Sequence, residues 1–292
     1  MRLWWRRLGG STTIRAGLII LGLLLVLAVT LGSDPGSLPA RDWNPHALSL
    51  LKAHPPKALA FAVFGDSQGG KPVFGELLRR VEQDRQIAFA ILLGDLVQRG
   101  ELSQYRDFFQ QVRQNLTKPL LTVMGNHDLN KGSRRLYEDI FGPTYYAFQI
   151  NDNYFIVVDD ASPEALDHRQ LSWLEQELQK ARAYPRRFVF LHIPLFDPRG
   201  EKHDHCLPAE SGRKLASLFQ KYRVTHIFTG HIHAYFSGQW SGVPFTITGG
   251  AGGKIKHPDQ EHYFFHYVKV SIRGDQVRLE VQRLPGFYPG KF

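Results

Sequence analysis

Five short apolar runs, each closed by a polar block, constrain this chain more than any other feature. Residues 58–64, 87–93, 120–124, 188–191 and 224–228 are rich in Val, Ile, Leu, Ala and Phe, and runs of that length read as buried strands. They are followed by Gly65-Asp66, Gly94-Asp95, Gly125-Asn126-His127-Asp128, His192 and Gly230-His231-Ile232-His233. Such strand ends deliver their next residues to a common edge. Carboxylates, an amide and imidazoles are therefore expected to converge there as a binuclear metal site.

Between the runs, the periodicity changes. Pro72 opens a stretch in which Val73, Leu77, Leu78 and Val81 recur with helical spacing, and Tyr105, Phe108, Phe109 and Val112 mark a second helix. Strand–helix–strand alternation predicts βαβ units and an α/β fold. After Gly142-Pro143 comes a hairpin signal, 145–150 and 154–158 around the polar turn Asn151-Asp152-Asn153, and then a helix over 168–183 with Leu171, Leu174, Leu178 and Ala181 on one face. Further strands are expected at 243–248, 263–271 and 277–282. Two mixed sheets packed face to face with helices outside accommodate this mixture, giving a four-layer αββα sandwich with the site at the C-terminal ends of its strands.

With 292 residues and 43% apolar side chains, the chain can bury such a core in one large domain. That domain is expected over 58–292, because the preceding composition differs. Arg6 and Arg7 precede an uncharged stretch, residues 16–32, at the lower length limit of a membrane-spanning helix. Residues 1–32 read as a signal anchor or a cleavable signal peptide. Length and leucine content favour the anchor, while Ala28, Thr30 and Gly32 permit cleavage and release. Basic residues before the span place the domain outside the cytoplasm, periplasmic or extracellular. Residues 33–57, with Pro35, Pro39, Pro45, Pro55 and Pro56, read as an extended tether.

Of the formal charge of +9, Arg2, Arg6, Arg7 and Arg15 supply four. The mild remainder, without a nucleic-acid-binding signature, suits an anionic substrate or lipid surface better than DNA. Nothing in the sequence points to a protein partner. The single cysteine, Cys206, excludes an intramolecular disulfide and a cysteine-rich zinc site, which leaves His, Asp and Asn as metal donors.

Asp66 and Asp95 offer carboxylates, Asn126 a carbonyl oxygen, and His192, His231 and His233 imidazoles. Two ions sharing a carboxylate can share a hydroxide nucleophile at neutral pH. His231 and His233 face the same way on a strand, or splay if the backbone turns after Gly230. In order, Asp66-Ser67-Gln68, Gly94-Asp95, Gly125-Asn126-His127-Asp128, His192 and Gly230-His231-Ile232-His233 resemble the calcineurin-like metallophosphoesterases, the superfamily of purple acid phosphatases and many bacterial phosphodiesterases.

The resemblance implies a metal-dependent hydrolase of phosphate esters. It implies that Asp66, Asp95 and His233 bind one ion and that Asp95, Asn126, His192 and His231 bind a second, with Asp95 bridging and Mn, Fe or Zn as the metals. Metal-bound hydroxide then attacks in line. His127 stands beside the substrate, stabilising phosphoryl oxygens or protonating the leaving alkoxide, with Asp128 orienting its ring. Gln68 replaces the histidine of the family's most familiar first block: it can offer a weaker amide ligand, hold a water or leave the position open. Gln98 stands where purple acid phosphatases carry a tyrosine, which argues against an iron–tyrosinate centre. The alternative is a membrane-anchored, non-catalytic binding protein on a degenerate scaffold; Gln68 favours it, and intact His127 and Asp128 argue against it.

Each block alone has a plain explanation, since Gly-Asp after a strand is ordinarily a turn. The ordered set does not. His203 and His205 form a polar loop that either lines the substrate cleft or, the favoured reading, is solvated; His226 reads as a packed strand residue, and His257, His262 and His266 carry no motif. Gly249-Gly250-Ala251-Gly252-Gly253 lacks the Lys-Ser/Thr of a nucleotide loop; by the same resemblance it is a glycine-rich strand end passing beneath the metals. Loops 68–72, 97–104, 129–145 and 196–212 are expected to set specificity.

Overall fold

The apolar runs become strands because their side chains are wanted on both faces. The computed structural model describes residues 37–162, 166–200, 204–257 and 259–290. In chain order its elements are α1 (Trp43–Ala53), β1 (Leu59–Phe64), α2 (Lys71–Gln83), β2 (Phe89–Leu93), α3 (Leu102–Asn115), β3 (Leu120–Val123), α4 (Arg135–Phe141), β4 (Tyr146–Ile150) and β5 (Asn153–Val157). Then follow α5 (His168–Ala181), β6 (Arg186–Phe190), α6 (Ala209–Lys221), β7 (His226–Thr229), β8 (Tyr235–Trp240), β9 (Val243–Thr248), β10 (His266–Arg273) and β11 (Gln276–Arg283).

One sheet has the order β11-β10-β1-β2-β3, with β1, β2 and β3 parallel. The other runs β4-β5-β6-β7-β9-β8, with β5, β6, β7 and β9 parallel. Phe61, Val63, Phe89 and Ile91 point into the space between the sheets, where they meet Phe155, Phe188, Phe190 and Phe228. Alternate residues Ala62, Phe64, Ala90 and Leu92 face α2 and α3. Leu174 and Leu178 of α5 and Leu215 and Phe219 of α6 cover the far side of the second sheet. The ring of Phe61 lies 5.2–6.5 Å from five other phenylalanine rings, each full burial contributing roughly 1.5–3 kcal/mol. This is the expected four-layer sandwich.

The segment expected to be a tether is corrected. Residues 1–32, expected to be a signal anchor or signal peptide, and residues 33–36 lie outside the described residues, but the compact unit starts at Leu38, and residues 43–53 are helix α1 rather than extended chain. Pro45 is compatible because it occupies the first helical turn, where its missing N–H has no intrahelical partner. The helix has work to do on the exposed edge of β3. Trp43 Nε1 donates to Leu120 O (2.7 Å), Asn44 Oδ1 accepts from Thr122 N (2.9 Å), and Tyr146 Oη donates to Thr122 O (3.0 Å), so groups that would template another strand are satisfied. Asn44→Ala is expected to lower unfolding free energy by about 1–3 kcal/mol, because it leaves the buried Thr122 amide unpaired; denaturant titration at unchanged m-value checks this.

Smaller differences have local causes. The hairpin turn is two residues, Asn151-Asp152, with Ile150 paired to Asn153 and Asn151 at φ 51°. Two further elements were not expected: helix α6, whose Gly212, Leu215, Ala216 and Phe219 are buried at helical spacing, and edge strand β8, where exposed Ser237, Gly238 and Gln239 leave no apolar alternation. Among the described residues no helix is long and apolar enough to cross a membrane.

Candidate active site

Every candidate ligand lies just past the C-terminal end of a parallel strand: Asp66 after β1, Asp95 after β2, Asn126 after β3, His192 after β6, His231 and His233 after β7. The turns that aim them are strained. Asp66 (φ 65°), Gln68 (41°), Asp95 (53°) and His231 (65°) all adopt left-handed backbone, uncommon for residues with a Cβ and concentrated where function fixes geometry. Gly94, at φ 83°, lets three segments touch: a Cβ there would lie 2.6 Å from His192 Nδ1 and 2.8 Å from Gly125 Cα. The glycine run beneath the site is equally close, a Cβ at Gly249 falling 2.3 Å from Ile232 O.

Two overlapping clusters result. Asp95, His192 and His231 present ligand atoms within 4.8 Å of one another, and so do Asp66, Asp95 and His233. Asp95 belongs to both. His231 and His233 splay, as the backbone does turn after Gly230, with Ile232 N donating to Gly230 O (2.8 Å); each ring joins a different cluster. Backbone carbonyls orient two of the rings: His192 Nδ1 donates to Leu93 O (2.7 Å) and His233 Nδ1 to Lys254 O (2.9 Å), leaving each Nε2 directed inward. There His192 Nε2 stands 3.0 Å from Asn126 Oδ1, 3.2 Å from His231 Nδ1 and 3.3 Å from Asp95 Oδ1.

Such a convergence of lone pairs calls for a positive charge. Burial opposes a charged His192, yet Asp95 raises it to about 10, while burial and the neighbouring His192 hold His231 down to about 3. Asp66 Oδ1 is buried without a hydrogen-bond partner, a costly state for a carboxylate. A cation held by these oxygens and imidazoles answers both features, so the donor set fits a metal of the kind that the resemblance implies.

The remaining site residues are redistributed. His127 N donates to Asp95 Oδ1 (2.9 Å), and its ring Nδ1 donates to the carbonyl of Gln98 (2.8 Å). Asp128 does not orient that ring. It is buried, with Oδ1 accepting from Leu96 N (3.0 Å) and Oδ2 from Gly125 N (2.9 Å), and so it ties together the turns carrying Asp95 and Asn126. Gln68 is not directed as a ligand: its Nε2 donates to Asp95 Oδ2 (2.9 Å) and its Oε1 accepts from Gln98 Nε2 (3.0 Å).

A further carboxylate, Asp160, plays the corresponding part under His192. Its two oxygens accept from His192 N (2.8 Å) and Ile193 N (2.9 Å). Asp160→Asn sets an amide N–H₂ against one of those donors; metal affinity is expected to weaken about 10–100-fold, with the protein folded by circular dichroism, as a metal titration would record.

The site opens into a cleft of about 990 Å³ whose wall includes Gln98, His127, Arg199, His205, Lys254 and Tyr263. His205, expected to be merely solvated, has its ring 5.7 Å from that of His231. His203 lies outside the described residues. His226 and His266 are buried beside Thr246 and Thr248, whereas His257 and His262 line the cleft. The loop that carries them, between β9 and β10, was not among those expected to set specificity.

Residues 59–235 match the family model described as calcineurin-like phosphoesterase. The chain is a calcineurin-like phosphoesterase. This phosphoesterase is 27% identical over 210 residues to a probable cyclic nucleotide phosphodiesterase of Rhodopseudomonas palustris, covering 65% of this chain and 76% of that one. It is 29% identical over 251 residues to the serine/threonine-protein phosphatase CPPED1 of Rattus norvegicus, covering 74% and 80%. Its fold is that of a dimetal phosphatase from Danio rerio (TM-score 0.64, 13% identity, 77% of this chain and 96% of that one). It also matches a purple acid phosphatase of yellow lupin (TM-score 0.63, 18% identity, 78% of this chain) while spanning about half, 52%, of that longer protein.

Proposed function

We propose that this phosphoesterase works through a binuclear metal centre and hydrolyses phosphate esters outside the cytoplasm, held to the membrane by its N-terminal segment. One observation carries the binuclear reading: Asp95 is shared by two clusters of ligand atoms. Asp66, Asp95 and His233 would hold one ion, and Asp95, Asn126, His192 and His231 the other; Mn, Fe and Zn all suit this donor set. When bound, such a pair supplies Lewis acidity and an activated water nucleophile at neutral pH.

The chain's own residues do the rest. Leu93 O and Lys254 O fix which nitrogen each histidine offers. With Nδ1–H engaged by Gln98 O, His127 gives or takes a proton at Nε2, at the cleft where a leaving oxygen would depart. Gln68 donates to the second oxygen of Asp95 and so holds the shared carboxylate in one orientation. The location outside the cytoplasm is supported by Arg6, Arg7 and the uncharged residues 16–32.

The test uses the purified full chain. Elemental analysis is expected to find two ions per chain, and p-nitrophenyl phosphate or bis(p-nitrophenyl) phosphate turnover should vanish on chelation and return with Mn, Zn or Fe. Full turnover with one ion per chain overturns the binuclear reading. Protease digestion of intact spheroplasts should remove the domain; its protection would overturn the location.

A further inference from the structure

Two cavities meet at the centre, and Asn126 and His231 line both. The first is the cleft already described, of about 990 Å³. Its outer wall carries Lys254 and Lys256, neither in an ion pair among the described residues. Beside them His262 stacks on Phe236 (4.4 Å) and His257 on Tyr263 (4.2 Å). Asp259 also reaches this wall, but its Oδ1 accepts from Glu261 N (2.7 Å) in its own loop. The second cavity, of about 830 Å³, is walled by Ile193, Phe196, Cys206, Leu207 and Ala209, with Asp197 and Asp204 as its acids. Asp197 is neutralised by Arg199 at 2.6 Å.

Because the cavities adjoin at Asn126 and His231, a phosphoryl group bound there can direct one substituent into each. Uncompensated lysines attract an anionic substituent into the first, whereas the described wall of the second presents Ile193, Phe196 and Leu207 together with the Asp204 carboxylate, which disfavours one. We propose that the substrate is an amphiphilic phosphodiester: an anionic substituent lies along Lys254 and Lys256, and an uncharged apolar substituent fills the cavity walled by Phe196 and Leu207. This inference rests on the phosphoesterase site proposed above and names its substrate class. The apolar substituent is an alkyl chain or a planar aromatic group, since both satisfy the same walls.

The test is a series of phosphodiesters with a constant 2-carboxyethyl group and a variable second group, from methyl to octyl, together with a naphthyl ester. With the metal-loaded full chain, kcat/KM is expected to rise about fourfold per added methylene over the first few carbons. The naphthyl-to-octyl ratio then tells an aromatic ring from a chain. Ala209→Glu should flatten the chain-length dependence; the residue is exposed in the first turn of α6, where an acid is compatible with the helix. Lys254→Glu combined with Lys256→Glu should abolish the preference for a carboxyethyl over a neutral constant group. Hydrolysis of p-nitrophenyl phosphate with no chain-length dependence overturns the amphiphile while leaving the phosphoesterase reading intact. Failure to hydrolyse any ester overturns both. A steeper gain from trimethylammonium-ended groups overturns the apolar assignment and makes the second cavity a cation site.

Discussion

Asp95→Asn is expected to strip metal from both clusters of a chain that still folds, lowering kcat/KM by more than the roughly 10²–10³-fold lost with a single charge-stabilising donor. Its Oδ1 accepts from His127 N and its Oδ2 from Gln68 Nε2. An asparagine can keep its oxygen toward His127 N and turn its amide toward Gln68, whose own amide group can rotate to accept. Both bonds to this side chain therefore survive, at the expense of the one from Gln98 Nε2 to Gln68 Oε1, and the main loss is the charge. That charge is what the two clusters share. Burial then acts on His192 against only the weaker pull of Asp66 and Asp160, and its ring should titrate below the value of about 10 that Asp95 helps sustain. Asp66→Asn makes the comparison: Asp66 belongs to one cluster, so that variant should keep one ion. Elemental analysis of the two proteins, with circular dichroism to show both folded, decides it. Two ions retained by Asp95→Asn would sink the shared-ligand assignment.

The ligands were legible because their signal is local. An apolar run, a glycine and then an Asp, Asn or His occupy consecutive positions, and the strand period sends each run's end to the same sheet edge. The glycines that permit close approach, Gly94 and Gly249 among them, were visible for the same reason. What the sequence misassigned depends on contacts between segments far apart in the chain. Asp128 follows His127, and adjacency suggests that they pair. In the single 3-10 turn of Asn126–Asp128, successive side chains instead diverge by about 120°, which sends Asp128 into the core and leaves His127 at the cleft. Its ring finds Gln98 O, 29 residues earlier. Asp160 acts on His192 across 32 residues and Asn44 on Thr122 across 78; neither carries a local pattern. Proline content misled in a related way, because composition does not reveal that Pro45 falls in a helix's first turn.

His127→Ala is expected to reduce kcat/KM about 10²–10⁴-fold, the usual worth of a positioned proton donor, with metal content unchanged. The link between His127 and the shared carboxylate runs through its backbone N–H, which alanine retains. The side chain's own partner is the Gln98 carbonyl, which lies on the cleft wall and can turn to water. Removing the ring thus leaves Asp95 held and both clusters complete. The size of the loss should depend on the alcohol that departs. An alkoxide requires a proton as its bond to phosphorus breaks, whereas p-nitrophenolate departs readily without one, so an alkyl ester should lose far more than a p-nitrophenyl ester. Measuring both substrates on one preparation, with its metal content, separates the possible roles. Lost metal would refute the assignment of His127 to the substrate side. Equal losses on both esters would place the ring at the phosphoryl oxygens, because stabilising charge there is insensitive to the basicity of the departing alcohol.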